Sequence, residues 1–162
     1  MTLPCLLRSM FVLAPAVLLA ACGSSAGSTG SNGSPQQTAN VCPTHPKVLA
    51  YTAGMAFKGP NGVTVKLMDS EPSPPKLGDN KWTIEVEDPS GAPLDGATIQ
   101  FKQYMPDHGH NGVKDPVITP QNAGTYELSP VNFNMEGYWE NTVSVKTDSV
   151  TDAAVIELCV GS

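Results

Sequence analysis

Trp82-Thr83-Ile84-Glu85-Val86-Glu87 runs directly into Asp88-Pro89-Ser90-Gly91-Ala92-Pro93. In the first six residues every second side chain is apolar, the pattern of a strand with one face in a core and the other in water. The next six combine two prolines and a glycine. Proline fixes φ and lacks an N–H, and glycine admits positive φ, so together they end the strand in a turn. The same alternation followed by a break recurs outward in both directions. Val63-Thr64-Val65-Lys66-Leu67-Met68 precedes Pro72-Ser73-Pro74-Pro75; Ala97-Thr98-Ile99-Gln100-Phe101-Lys102 follows the quoted turn. Trp139-Glu140-Asn141-Thr142-Val143-Ser144-Val145 follows Met135-Glu136-Gly137, and Ala154-Val155-Ile156-Glu157-Leu158-Cys159-Val160 lies near the end. Residues 51–57 and 125–128 are shorter candidates. No stretch carries a 3.6-residue apolar stripe longer than two turns. About seven short strands with dense turn chemistry predict an all-β fold, an immunoglobulin-like antiparallel β-sandwich, with a small closed barrel as the alternative. Trp82 and Trp139 read as core anchors.

Composition agrees. The chain has 162 residues, with 15 Gly, 15 Pro, 6% aromatic and 15% charged residues, a balance that suits a single turn-rich domain. Its one arginine, Arg8, lies in the N-terminal segment, and beyond it lysines are outnumbered by acids. Phosphate neutralisation needs clustered Lys and Arg, so nucleic acid is excluded as a partner.

Residues 1–21 read as a lipoprotein signal peptide. Arg8 precedes an apolar run from Met10 to Ala21 that is too short to cross a hydrocarbon core of about 20 helical residues, and Pro15 interrupts it. Leu19-Ala20-Ala21-Cys22 resembles the bacterial lipobox, which assigns Cys22 as the lipidated residue, carrying palmitate-type chains. Ordinary secretory cleavage in the same region is the alternative. Residues 22–41 are Gly- and Ser-rich and hold no core-forming side chain, so they are expected to be a flexible tether spanning roughly 25 Å r.m.s.. Residues 42–162 form the folded domain. The expected location is the bacterial cell envelope, lipid-anchored to a membrane and facing the periplasm or the exterior.

With Cys5 in the signal and Cys22 lipidated, the domain keeps Cys42 and Cys159, one at each end. An oxidising compartment favours a disulfide between them, worth up to about 4.7 kcal/mol in the chain-entropy picture for so long a loop. The competing reading joins Cys42, His45 and Cys159 in a thiolate and imidazole metal site, which requires reduced thiols.

One stretch concentrates chemistry. Tyr104-Met105-Pro106-Asp107-His108-Gly109-His110-Asn111-Gly112 places a thioether, a carboxylate and two of the three histidines in one Pro/Gly loop, and Met135 sits in a separate turn. Thioether and imidazole are ligands that suit copper, Cu(I) above all. The same residues have a packing reading, in which Met105 and Met135 plug one end of the sandwich and the histidines hydrogen-bond backbone carbonyls.

In order along the chain, Ser73-Pro74-Pro75, Gly78-Asp79-Asn80-Lys81-Trp82-Thr83, Asp88-Pro89-Ser90-Gly91-Ala92-Pro93-Leu94, Met105-Pro106-Asp107-His108-Gly109-His110, Gly124-Thr125-Tyr126 and Met135-Glu136-Gly137-Tyr138-Trp139 resemble the YtkA-like domain, which is similar in pattern to the extracytoplasmic part of FixH proteins. The resemblance spans roughly residues 48–145. It implies an immunoglobulin-like extracytoplasmic module linked to copper handling or oxidase assembly. By position it assigns Met105, His108, His110 and Met135 as metal ligands, and it implies a metal donor or acceptor protein as partner. Asn111 departs from the commonest form, where glycine is frequent, and the chain lacks the membrane helix of a FixH-like protein. The leading expectation is a binding module that takes up or hands on copper; the alternative is a metal-free structural or protein-interaction domain. An enzyme is not expected: there is no Gly-x-Ser-x-Gly elbow, His-Glu-x-x-His pair or phosphate loop, and Asp107 and His108 are too close in sequence for an obvious acid-base pair.

Overall fold

Nine strands in two antiparallel sheets account for the domain in the computed structural model, which describes Cys42, His45 and residues 48–162. The expected signal peptide, the lipidated Cys22 and the tether lie outside the described residues. One sheet has the order β1 (Met55–Lys58), β2 (Thr64–Glu71), β3 (Gly78–Glu87), β7 (Thr125–Phe133) and β6 (Val117–Pro120). The other has the order β5 (His110–Asn111), β4 (Thr98–Met105), β8 (Gly137–Lys146) and β9 (Thr151–Val160). The architecture is the expected sandwich, with two strands more than the alternation indicated. β5 has two residues inside the Pro/Gly loop, and β6 has four, with Pro116 before it and Pro120 at its end. β6 is an edge strand, the position in a sheet where proline is tolerated.

Period two explains which side chains meet. Val63, Val65 and Leu67 precede or lie on β2, Trp82, Ile84 and Val86 lie on β3, and Trp139, Val143 and Val145 lie on β8; all are fully buried between the sheets. Leu67 pairs with Ile84 but Asp69 with Thr83, so Met68 is the extra residue of a bulge. The bulge turns Met68 and Asp69 outward and lets the buried Ser70 face in. A second irregularity falls where Lys81 faces both Ser129 and Pro130 on β7, a place where the missing proline N–H breaks no ladder bond.

Two polar clamps close the layers. The Tyr126 hydroxyl accepts from the Ala97 N–H at 3.0 Å and donates to the Leu94 carbonyl at 2.8 Å, tying β7 to the segment that enters the opposite sheet. The buried Asp152 on β9 accepts from the backbone N–H groups of Asn61 and Val63, both at 3.0 Å, and so fastens β9 to the start of β2. Gly59 packs against that carboxylate; a Cβ there would lie 2.5 Å from it.

Cys42 and Cys159 form a disulfide with Cα atoms 5.9 Å apart. This removes the alternative in which both thiolates join His45 at a metal: the sulfurs are bonded to each other and carry no thiolate. The bond fastens the start of the described chain to β9. Replacing both cysteines with alanine is expected to lower the unfolding free energy by about 2–5 kcal/mol, measured by denaturant titration. Intact mass after alkylation without reduction should show no alkylated Cys42 or Cys159; two alkylated thiols there would remove the bridge from the account.

Candidate metal-binding end of the sandwich

Four segments distant in sequence meet at one end of the sandwich. β4 ends at Met105, the chain turns through residues 106–109, and β5 returns beside it, pairing Met105 with His110 and Tyr104 with Asn111. The turn is closed by the N–H groups of His108 and Gly109, which both donate to the Met105 carbonyl at 3.2 and 2.8 Å. Gly109 has a φ of 66°, the left-handed region that glycine reaches without steric cost. On the other sheet β7 ends at Phe133, and residues 134–136 cross over to Gly137, where β8 begins. Gly137 pairs with Val160 of β9 and Tyr138 with Cys159, so the disulfide lies at this end too.

The four residues read as metal ligands fall into two groups. His108 is exposed and His110 half-buried, with ring centroids 6.1 Å apart. An imidazole nitrogen sits about 2.0–2.1 Å from a bound metal, so two rings sharing one ion have centroids roughly 5.2 Å apart at a tetrahedral angle and roughly 6.4 Å apart when linear, and the observed spacing is near the linear limit. His110 Nδ1–H donates to the Asn111 carbonyl at 3.0 Å, which leaves Nε2 as the nitrogen with a free lone pair. The methionines belong to the packing. Met105 is 1% exposed, and its Cε would lie 2.6 Å from any Cβ at position 137, so Gly137 is the space that its methyl fills. Met135 is half-buried against the core. Its carbonyl accepts from the Trp139 indole N–H at 3.0 Å, and Trp139 in turn sets its edge against His110 at 5.7 Å between centroids. The packing role of the loop is visible: Met105 and Met135 plug the sandwich and one histidine is fixed by a backbone carbonyl, while the two imidazoles lie with their planes 51° apart at its edge.

Among the described residues no three His, Cys, Asp or Glu side chains gather closely enough to hold a metal ion. Two imidazoles are borderline donors that zinc and copper both accept, and a thioether added to them would shift the set toward a soft ion such as Cu(I). Two open grooves, of about 560 and 630 Å³, lie elsewhere on the β4 and β8 face, around Gln100, and neither is lined by a candidate ligand.

Residues around the loop hold it from several sides. Lys114, just beyond β5, contacts Asp79 at 2.8 and 2.9 Å, and this ammonium, with the Asn132 amide, holds the Asp79 carboxyl below the usual carboxylate range. His45 Nε2–H donates to Asp107 Oδ1 at 2.9 Å while its ring stacks on Tyr138 at 3.9 Å. Beside a lone histidine near Cys42 the sequence offered thiolates as partners. No period or spacing signals a contact with Asp107, because that contact exists only once the disulfide has brought the segment across.

A family model described as YtkA-like matches residues 57–144. The chain belongs to the YtkA-like family. The match contains Met105, His108, His110 and Met135 and leaves Cys42, His45 and Cys159 outside it. Two solved structures are similar to this YtkA-like chain. One is FetP of a uropathogenic Escherichia coli strain as isolated, 12% identical, covering 68% of this chain and 95% of its own, with a TM-score of 0.44. The other is a copper-bound variant of the same FetP, 15% identical, covering 68% and 96%, with a TM-score of 0.40. No curated protein matches the chain.

Tyr138 supplies a pH signature for this end of the YtkA-like domain. It is 4% exposed, and its hydroxyl donates to Glu157 Oε1 at 2.6 Å and Glu140 Oε1 at 3.2 Å. Burial, then the Glu157 and Glu140 carboxylates, push its ionisation well above the ordinary tyrosine range. Above pH of about 10 the unfolded chain loses this proton while the folded one keeps it, so the folded state binds more protons and stability falls as pH rises, by about 1.4 kcal/mol per pH unit. Tyr138→Phe should remove that part of the alkaline slope, read from denaturant midpoints between pH 9 and 11; an identical slope in parent and variant would contradict the burial of this hydroxyl.

Proposed function

We propose that this protein is a lipid-anchored extracytoplasmic module that binds copper as Cu(I) and passes it between partner proteins without catalysing a reaction. The observation that carries the reading is the pair His108 and His110, with ring centroids 6.1 Å apart at the sandwich end and Met135 in the neighbouring turn. His110 Nε2 has a free lone pair, and among the described residues no third His, Cys, Asp or Glu joins the pair, so the half-buried Met135 is the thioether left to complete a set that favours a soft cation. Binding and release from an exposed turn suit transfer better than chemistry: the neighbouring Asp107 carboxylate is taken up by His45, and among the described residues no other acid, base or nucleophile is hydrogen-bonded to the pair. The Cys42–Cys159 disulfide supports an oxidising compartment outside the cytoplasm.

Burial of Met105 favours the second reading, a metal-free interaction domain whose loop is a packing device. Competition of the full chain against a chromophoric Cu(I) chelator separates the two. The copper reading expects uptake of one Cu(I), abolished in the His108→Ala/His110→Ala double variant, which stays folded with a stability loss of about 0.5–1.5 kcal/mol from the lost His110–Trp139 contact. Absence of uptake by the parent together with unfolding of the double variant selects the packing device.

The anchor is tested separately. Cys22→Ser is expected to move the protein from the membrane fraction into soluble or unprocessed form. A processed Cys22→Ser protein that still sediments with membranes at unchanged mass would sink the lipid assignment.

A further inference from the structure

Although the family match begins at residue 57, the chain at Cys42 and His45 is fastened to the same end of the sandwich at three points. Cys42 is bonded to Cys159, the register partner of Tyr138, so the disulfide delivers this part of the chain beside that ring. The His45 N–H donates to the Cys42 carbonyl at 3.1 Å, a backbone bond that fixes His45 close behind the bridge. The His45 ring then lies on Tyr138, 3.9 Å between centroids and 20° from parallel, and its Nε2–H reaches Asp107 Oδ1. Tyr138 is itself immobilised by burial and by its bonds to Glu157 and Glu140.

Asp107 is inside the turn that separates β4 from β5. The backbone bonds of that turn, from His108 and Gly109 to Met105, are internal to it. Among the described residues, the side chains of Asp107 and His108 make one hydrogen bond between them, and its partner is His45. An exposed Pro/Gly turn without an outside fastening samples several conformations, and a ligand that needs one of them must bear the ordering cost.

We propose that His45 is a positioning residue: pinned onto Tyr138 behind the disulfide, it holds Asp107 and thereby fixes the turn that sets His108 against His110. What the turn is positioned to bind rests on the copper reading above; the positioning itself does not. A ring that is stacked on a rigid partner and hydrogen-bonded at one nitrogen is a stiff strut. The disulfide gives that strut a covalent base.

The test uses the full chain and reads amide hydrogen exchange at His108 and Gly109. His45→Ala is expected to speed exchange at both by roughly three- to tenfold, the factor that loss of one hydrogen bond allows. His45→Phe, which keeps the stack and removes the donor, is expected to do the same, and it carries the measurement if His45→Ala does not fold. His45→Gln, which restores an N–H donor, should return exchange toward the parent value. Cu(I) affinity is expected to fall by a similar factor in His45→Ala, with the His45 ring resonances of the parent unmoved by Cu(I). Unchanged exchange at His108 and Gly109 in folded His45→Ala and His45→Phe overturns the positioning role, whether or not copper binds. A shift of the His45 ring on metal addition makes it a ligand and overturns the proposal as well. Faster exchange in the variants of a protein whose parent takes up no Cu(I) upholds the positioning role and removes the copper reading alone.

Discussion

Trp139 is the point at which the two layers and the loop depend on one another. Its indole is completely buried, with its edge against Phe133 of the opposite sheet at 5.6 Å and against His110 at 5.7 Å. Its N–H is satisfied by the Met135 carbonyl in the crossover between sheets. Phe133 in turn meets Trp82, which meets Phe101, so an aromatic chain runs from the loop end into the middle of the core. Offset and edge-to-face pairs of this kind contribute about 0.5–1.5 kcal/mol each beyond the area they bury. The crossover at residues 134–136 is short, and it takes its path because Trp139 and Phe133 must interlock across it. The site is therefore an extension of the core, with the buried Met105 and the half-buried Met135 beneath and the imidazoles above.

The strands that could be read from the chain are those with one wet face. β2, β3, β8 and β9 alternate because water on one side and the opposite sheet on the other impose period two. β6 escaped this reading because an edge strand of four residues with proline at its end carries too few alternations to rise above a loop. β5 escaped it because two residues cannot show a period; the pairing of His110 with Met105 is decided by the turn before it. At the site, donor chemistry was legible and burial was not. That Met105 lies under Gly137 depends on a residue 32 positions later that contributes only the absence of a side chain. The contact from His45 to Asp107 spans 62 positions and passes through a covalent bond to β9, so nothing local announces it.

Inside the same layers a polar pair occupies positions that alternation assigns to the core. Gln103 and Asn141 are register partners on β4 and β8, both buried, and the Gln103 amide donates to Asn141 Oδ1 at 3.2 Å. Asn141 also donates to the Ile156 carbonyl at 3.0 Å, while Gln103 Oε1 and the Trp82 indole N–H have no partner among the described residues. Buried groups left in this way cost about 1–3 kcal/mol each, which would select against them if apolar packing alone decided the interior. Their place, two residues before Met105, makes the core more polar as it approaches the loop end. They also restrict which strand offsets β4 and β8 can adopt, because a one-residue slip of β4 would turn Gln103 outward, away from Asn141, and carry Phe101 and Met105 with it.

The disulfide also decides how the domain bears load. Tension applied to the chain ahead of Cys42 would, without the bridge, run along the backbone into β1, a four-residue edge strand held by one neighbour. Such a strand peels one hydrogen bond at a time. With the bridge, the force passes through sulfur into β9, whose ten residues are paired along their whole length with β8, and the segment between Cys42 and β1 goes slack. A ladder of that length, loaded along its strands, gives way only when many bonds break together, so the domain resists tension on its N-terminal side far better than its small first strand suggests.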